Sequence, residues 1–303
     1  MRHFVAVSDL KPDELHELLD LAVRLKTQAA TPPAHLPLAG RCMVLMFEKP
    51  SLRTRVSFEA AMEKLGGSCI FVSAHEVQLG VRETIADFAR VISQYIDVLV
   101  VRVFDHRHVV ELAKHATVPV INGLSDLAHP CQALADLQTV QELFGDVNGR
   151  TIAFIGDGNN VARSLAVGCY LLGARFILAA PRGYEFSDAF QDRLRQQPGS
   201  GSVAVVPDAA AAVREADVVY TDVWTSMGQE AESDRRRAAF ARFQVNADLM
   251  RQAPAHARLM HCLPAHRGEE VTDDVLDGPQ SAVIAQAANR LHAQKALLVW
   301  LLG

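Results

Sequence analysis

No two of the five cysteines are spaced as CxxC, which excludes a zinc knuckle and a dithiol redox motif. Cys42, Cys69, Cys131, Cys169 and Cys262 lie far apart and their number is odd. The opening MRHFVAVSDLKPDEL has no apolar core followed by a cleavage site. Together these fit a reducing compartment, and a cytoplasmic protein is expected. Basic charge is not in excess: 30 Lys and Arg stand against 35 Asp and Glu, a formal net charge of −5, so there is no footprint for a nucleic acid. Long apolar runs are absent too. The late stretch Ala296 to Leu302 is far too short to span a bilayer. There is no repeat at solenoid spacing, and low complexity is confined to Asp208 to Ala212, read as an alanine-rich helix start.

What remains is an ordinary globular composition, half apolar, over 303 residues. Short apolar runs alternate with helical patterns from end to end. Pro12 opens a first helix, with Leu15, Leu18, Leu19, Ala22 and Leu25 on one face. Strands are expected at Cys42 to Phe47, Cys69 to Val72, Val98 to Val103 and Val118 to Ile121. Helices fall between them at Arg53 to Leu65, Glu83 to Tyr95 and His108 to His115, and a longer one runs from Cys131 to Phe144. The pattern then restarts, with strand Thr151 to Ile155, helix Asn160 to Leu172 and strand Phe176 to Ala180. Further strands are expected at Val203 to Val206, Val218 to Tyr220, Leu259 to Cys262 and Ala282 to Ile284, before a last helix at Ala288 to Leu302. The polar segment Gln229 to Arg242 reads as a surface loop.

Continuous apolar strands separated by helices mean parallel sheets covered on both faces. The expected fold is α/β, with two doubly wound domains, each a parallel sheet of about four strands flanked by helices. The expected domains are 1–145, completed by 288–303, and 146–287.

Ligands of open α/β sheets bind beyond the carboxyl ends of strands, so polar clusters that follow strands are the candidates. In FEKPSLRTR a strand leads through Pro50 into a helix. There the hydroxyls of Ser51 and Thr54, the unpaired first-turn N–H groups, the helix dipole, and Arg53 and Arg55 could seat a phosphate. The same run is also compatible with a simple cap and a basic helix face. Arg102 closes a strand, as a second anion grip or as a surface charge. His129, Pro130, Cys131 and Gln132 open a helix, and His129 and Gln132 can both donate toward an oxygen; alone, such a histidine is a cap. Asp222, Ser226 and Met227 follow Val218 to Tyr220, where a carboxylate can receive an ammonium group. Cys262, after another strand, is either a thiol partly ionised by nearby cations or an inert buried cysteine. No GxxxxGK loop is present. The run Gly156-Asp157-Gly158-Asn159-Asn160 has Val161 where a dinucleotide fingerprint has its third glycine, and no acidic residue ends the next strand, so a nicotinamide cofactor is disfavoured.

Taken in order, SLRTR, HPCQALADLQ, GDGNN, DVWTSMGQE and HCLPAHRGEE resemble the carbamoyltransferase family over essentially the whole chain, and SMG with HCLP resembles its ornithine branch. The resemblance implies transfer of the carbamoyl group of carbamoyl phosphate to the δ-amine of L-ornithine, giving L-citrulline and phosphate in arginine biosynthesis, or the reverse in arginine catabolism. It implies a carbamoyl phosphate domain followed by an ornithine domain, with the last helix returning to the first. It implies a homotrimer or a multiple of trimers, with no cofactor and no metal. Carried over residue by residue, Ser51, Leu52, Arg53, Thr54 and Arg102 hold phosphate, and Gln78 in EVQLG reaches an adjacent subunit's site. His129, Pro130, Cys131 and Gln132 hold the carbamoyl group. Asn160, Asp222, Ser226 and Met227 bind ornithine, and Cys262, Leu263 and Arg290 complete the site. Arg53, Arg102, His129, Asp222 and Cys262 are the expected catalytic residues. Two departures stand out: Leu52 replaces a common Thr, and Ala288 replaces an acidic residue before Asn289. Acetylornithine and putrescine are the rival acceptors. The first lacks the α-ammonium that Asp222 would address, the second the α-carboxylate that Asn160 would address.

Overall fold

A computed structural model describes residues 1–28, 36–225 and 230–303. The chain forms two compact units, Met1–Gln138 with Arg290–Gly303, and Thr139–Asn289. The boundaries fall inside two helices, Pro130–Phe144 and Val283–Leu302.

The first unit holds four strands, β1 (Cys42–Phe47), β2 (Ser68–Ser73), β3 (Val98–Arg102) and β4 (Val120–Leu124), in the order β2-β1-β3-β4. Every pairing is parallel. The central β1 and β3 are nearly unbroken apolar runs because both sheet faces are covered. The strand order reverses between β1 and β3, so the loops at their carboxyl ends diverge and leave a crevice. The residues there are Ser51 to Arg55, which follow β1, and Arg102, which ends β3.

The second unit holds five parallel strands, β5 (Thr151–Ile155), β6 (Arg175–Ala179), β7 (Ser202–Val206), β8 (Val218–Thr221) and β9 (Arg258–His261), in the order β7-β6-β5-β8-β9. Its switch point lies between β5 and β8. Beyond them come Asp157 to Asn160 and Asp222, with Cys262 following the neighbouring β9. Phe154 stacks on Tyr220 at 5.1 Å across this seam, inside the core.

Two expectations are corrected. Ala282 to Ile284 is not a strand: only Ser281 bridges to Leu259, and Val283 already opens the final helix. A three-residue apolar run carries no period that separates strand from helix. The segment Gln229 to Arg242 is not a plain loop either. It contains helix Ser233–Phe240, whose Arg236 and Phe240 point inward. One of its two inward residues is an arginine, so no apolar stripe announces it. Among the described residues no helix is long and apolar enough to cross a membrane.

Candidate active site

In the first unit, Ser51 caps helix Leu52–Lys64 and its hydroxyl donates to Thr54 Oγ1 at 3.0 Å. Thr54 is buried, and the same oxygen accepts from Arg290 Nη2 at 3.2 Å. Arg290 Nη1 donates to the Gln132 side-chain oxygen at 2.5 Å and lies 3.5 Å from His129 Nε2. A guanidinium only donates, so Nε2 is the accepting nitrogen and Nδ1 carries the proton. Gln132 in turn donates through Nε2 to the wholly buried carboxylate of Asp136 at 2.8 Å, which fixes the orientation of its amide.

His129 is pushed well below the ordinary histidine value of 6.5, first by burial, then by the Arg290 and Arg102 charges. It is therefore a neutral imidazole near pH 7. Arg102, only 9 % exposed, ends β3 as a buried cation and not as a surface charge. Two guanidiniums, a neutral imidazole, a carboxamide and two hydroxyls beside a helix N-terminus form a cationic, largely dry seat. That donor set suits a phosphoryl group and an attached carbonyl.

Not every expected residue joins this cluster through its side chain. Leu52 is 78 % exposed, and what it offers is first-turn backbone. Arg53 is exposed on the same turn. Arg55 is committed elsewhere, donating to Glu59 at 2.8 Å and lying 3.9 Å over the Phe71 ring. Pro130 is the first residue of its helix and is buried. The Cys131 thiol donates to the Asn122 carbonyl at 3.4 Å, and burial pushes it up to about 12, which leaves it inert. Gln78 is exposed, at a left-handed φ of 45°, and its carbonyl accepts from the Val81 and Arg82 N–H groups.

In the second unit, the buried Asp222 carboxylate is held from three directions. Oδ2 accepts from Asn159 Nδ2 at 2.9 Å, and Oδ1 accepts from the Val223 N–H at 2.8 Å and from Cys262 Sγ at 3.0 Å. The thiol thus donates to a carboxylate here. Asn160 opens helix Asn160–Leu171 beside them. Gly158 has a packing reason: a Cβ there would come within 3.0 Å of the Glu185 and Phe186 backbone. Ser226 and Met227 lie outside the described residues.

Three polar partners escaped the sequence reading. Asn159 caps helix Asn160–Leu171 through the Val161 and Ala162 N–H groups while its amide nitrogen holds Asp222. Asp136 orients Gln132. Arg236, 4 % exposed, pairs with Asp157 and donates to the Trp224 carbonyl, with its guanidinium over the Tyr184 and Phe240 rings. The signal for Asn159 was present, as an Asn just before a helix that follows a strand. A partner far along the chain has no such signal.

Residues 2–142 match the family described as aspartate/ornithine carbamoyltransferase, carbamoyl-P binding domain, and residues 148–301 match its Asp/Orn binding domain. The chain is 50 % identical, over all of its own length and 96 % of the relative's, to the ornithine carbamoyltransferase of Pyrococcus abyssi. It is 49 % identical, over the same shares, to the anabolic ornithine carbamoyltransferase of Pyrococcus furiosus. The solved structure of an ornithine carbamoyltransferase from Pyrococcus furiosus superposes with a TM-score of 0.96 at 49 % identity, covering all of this chain and 97 % of that one.

Proposed function

Because the chain belongs to the aspartate/ornithine carbamoyltransferase family, we propose that it is an ornithine carbamoyltransferase, forming L-citrulline and phosphate from carbamoyl phosphate and L-ornithine. The observation that carries the reading is the convergence of Thr54, His129, Gln132 and Arg290, from three distant segments, into one hydrogen-bonded cluster. In this reading residues 1–145 with 288–303 bind carbamoyl phosphate, and 146–287 bind ornithine.

The phosphate sits on the Ser51-Leu52-Arg53-Thr54 turn and Arg102. The carbamoyl group lies against His129 and Gln132, with Arg290, Cys262 and Leu263 closing the site and Pro130 and Cys131 shaping the helix start. Ornithine is held by Asn160, Asp222, Ser226 and Met227. Asp222 takes the α-ammonium, which orients the side chain toward the carbamoyl carbon. The δ-amine, with an intrinsic pKa of roughly 10, attacks only when neutral. A dry site lined by cations favours that neutral form.

The amine nitrogen bonds to the carbamoyl carbon and gives a tetrahedral oxyanion. Arg102, the single N–H of neutral His129 and the Thr54 hydroxyl stabilise it. The carbon–oxygen bond to phosphate then breaks, the electron pair leaves with phosphate onto Arg53, and the proton of the attacking nitrogen passes to the departing phosphate. Fixing both substrates supplies much of the acceleration. The enzyme works as a cytoplasmic homotrimer or a multiple of trimers, with Gln78 reaching a neighbouring site; the exposed, left-handed backbone at Gln78 supports that reach.

The test is citrulline production from carbamoyl phosphate and L-ornithine, with acetylornithine, putrescine and aspartate in parallel. Turnover with ornithine alone is expected. Turnover only with another amine would overturn the assignment of Asp222 to an α-ammonium, and inactivity of folded protein with all four would overturn the transferase.

A further inference from the structure

His261 closes β9 one residue before Cys262, and its side chain is wholly buried against an equally buried carboxylate, Glu270. Its ring nitrogens face different partners. Nδ1 accepts the Leu263 backbone N–H at 2.8 Å. A nitrogen that accepts carries no proton, so the proton belongs to Nε2, which donates to Glu270 Oε1 at 3.1 Å. The same oxygen accepts the His266 N–H at 2.6 Å, so one carboxylate ties the strand end to the far side of the loop. The Glu270 backbone is anchored in turn, its carbonyl accepting the Val245 N–H at 2.8 Å. At the other end, the His261 N–H donates to Gln286 at 2.8 Å, and Gln286 donates to the Tyr220 hydroxyl at 3.1 Å.

What this frame encloses is a strained turn. Leu263 has φ 56°, a left-handed conformation that costs a branched side chain free energy and persists only where surroundings impose it. The Leu263 N–H is the group that His261 holds. The residue between them, Cys262, aims its sulfur at Asp222. A rotation at Leu263 would therefore move its carbonyl and the Cys262 side chain together.

We infer that His261, oriented by Glu270, is a positioning residue for the carbamoyl transfer. It acts through its neighbours, holding the Leu263 N–H and so fixing the turn that keeps the Cys262 thiol on Asp222. The inference rests on the carbamoyltransferase reading above.

Two substitutions separate positioning from plain stability. In His261→Asn the amide oxygen falls near the place of Nδ1, so the Leu263 bond survives and the Glu270 bond is lost. In His261→Gln the amide reaches the place of Nε2, so Glu270 keeps its partner and Leu263 loses its acceptor. Both variants delete one buried hydrogen bond, so a structural role alone would affect them alike. H261Q is expected to raise the ornithine KM and lower kcat, each by about tenfold or more, because a small misplacement of a site group has effects of that order. H261N is expected to keep both constants within about threefold of the parent, since the Leu263 bond is retained.

A second readout needs no turnover. Alkylation of Cys262 by iodoacetamide, followed by peptide mass spectrometry, should quicken severalfold in H261Q and not in H261N, with Cys42 as the internal reference. If H261Q and H261N lose activity in proportion to their fall in Tm, with equal Cys262 alkylation, the positioning role is overturned. A parent protein inactive toward every acceptor that still shows the alkylation contrast overturns the transferase reading and leaves the loop geometry standing. Should H261Q not fold, Glu270→Gln decides. Its amide oxygen still accepts from Nε2, so constants within about threefold of the parent are expected, and a larger loss in folded protein overturns the account.

Discussion

Arg290 Nη1 donates to the Gln132 side-chain oxygen at 2.5 Å, although 158 residues separate the two in the chain. Asp136 holds the opposite end of the same amide at 2.8 Å, so the amide has one orientation. Arg290 reaches Thr54 with its other terminal nitrogen at 3.2 Å. One guanidinium thus ties the start of helix Leu52–Lys64 to the start of helix Pro130–Phe144.

Removing that charge tests the carbamoyl phosphate seat. Arg290→Met keeps the length of the side chain and deletes every donor. Expected is a fall of at least about 100-fold in kcat/KM for carbamoyl phosphate, which is about 3 kcal/mol of transition-state stabilisation. The ornithine KM, measured at the highest attainable carbamoyl phosphate, should change far less. A loss below about threefold would remove Arg290 from the site.

His129 makes the protein acid-sensitive by a route of known sign. Burial, then Arg290 and Arg102, hold the folded imidazole well below 6.5, while the unfolded chain protonates near 6.5. Below that pH the unfolded state binds a proton that the folded state does not, so stability falls as pH falls. The slope approaches about 1.4 kcal/mol per pH unit for one such group. His129→Gln, which cannot titrate, should lose less stability than the parent between pH 7.5 and pH 5.5 in urea titrations. Equal losses would mean that His129 is protonated in the folded protein.

Much of this was legible beforehand, for reasons visible in single residues. β3 is an unbroken apolar run that ends in Arg102, and a buried parallel strand with a charge at its carboxyl end marks both sheet and site. SLRTR and HCLP sit just past strands, where sheet topology puts ligands. What stayed hidden depended on distance or on mixed signals. Nothing local in Gln132 points to Arg290. Asp136 is a carboxylate in the middle of a helix, a type and place that usually mean solvent. Helix Ser233–Phe240 reads as a solvated charge run because Arg236, one of its inward residues, is matched by Asp157 far upstream. The short run Ala282 to Ile284 could serve either period, and the helix that follows claimed it.

Asn159 has two roles that one pair of substitutions separates. Asn159→Asp keeps the oxygen that caps helix Asn160–Leu171, but it replaces the Nδ2 donor to Asp222 with a second carboxylate. Asn159→Ala loses both and should cost about 1–2 kcal/mol of stability as a lost cap. The aspartate variant should be the more stable of the two and the worse at binding ornithine, with a KM raised about tenfold or more as Asp222 is repelled or protonated. An ornithine KM that simply follows stability across the pair would show that Asn159 acts only as a cap.

Arg236 and Asp157 form a buried pair, and its two members should not be equal in value. Burial pushes the Asp157 carboxyl up and the Arg236 charge draws it back, with burial the larger influence. Arg236→Met leaves only the smaller pull of Arg163 against the burial of that carboxylate, which should cost about 3–5 kcal/mol near neutral pH. Adding Asp157→Asn removes the stranded charge, so the double variant should recover most of the loss. It should still fall short of the parent by about 1 kcal/mol, for the bond from Arg236 to the Trp224 carbonyl. The pH dependence has a definite sign. With Arg236 gone, the folded carboxyl titrates further above its unfolded value, so the folded state gains protons first as pH falls. The penalty is then full above the folded pKa and shrinks below it, and the Arg236→Met variant should approach the parent more closely at pH 5 than at pH 7.5. Denaturant titrations of the parent, Arg236→Met and the double variant at both pH values decide it. A penalty that is constant with pH, and that the second substitution does not relieve, would place the cost in lost packing against Tyr184 and Phe240 and not in the stranded charge.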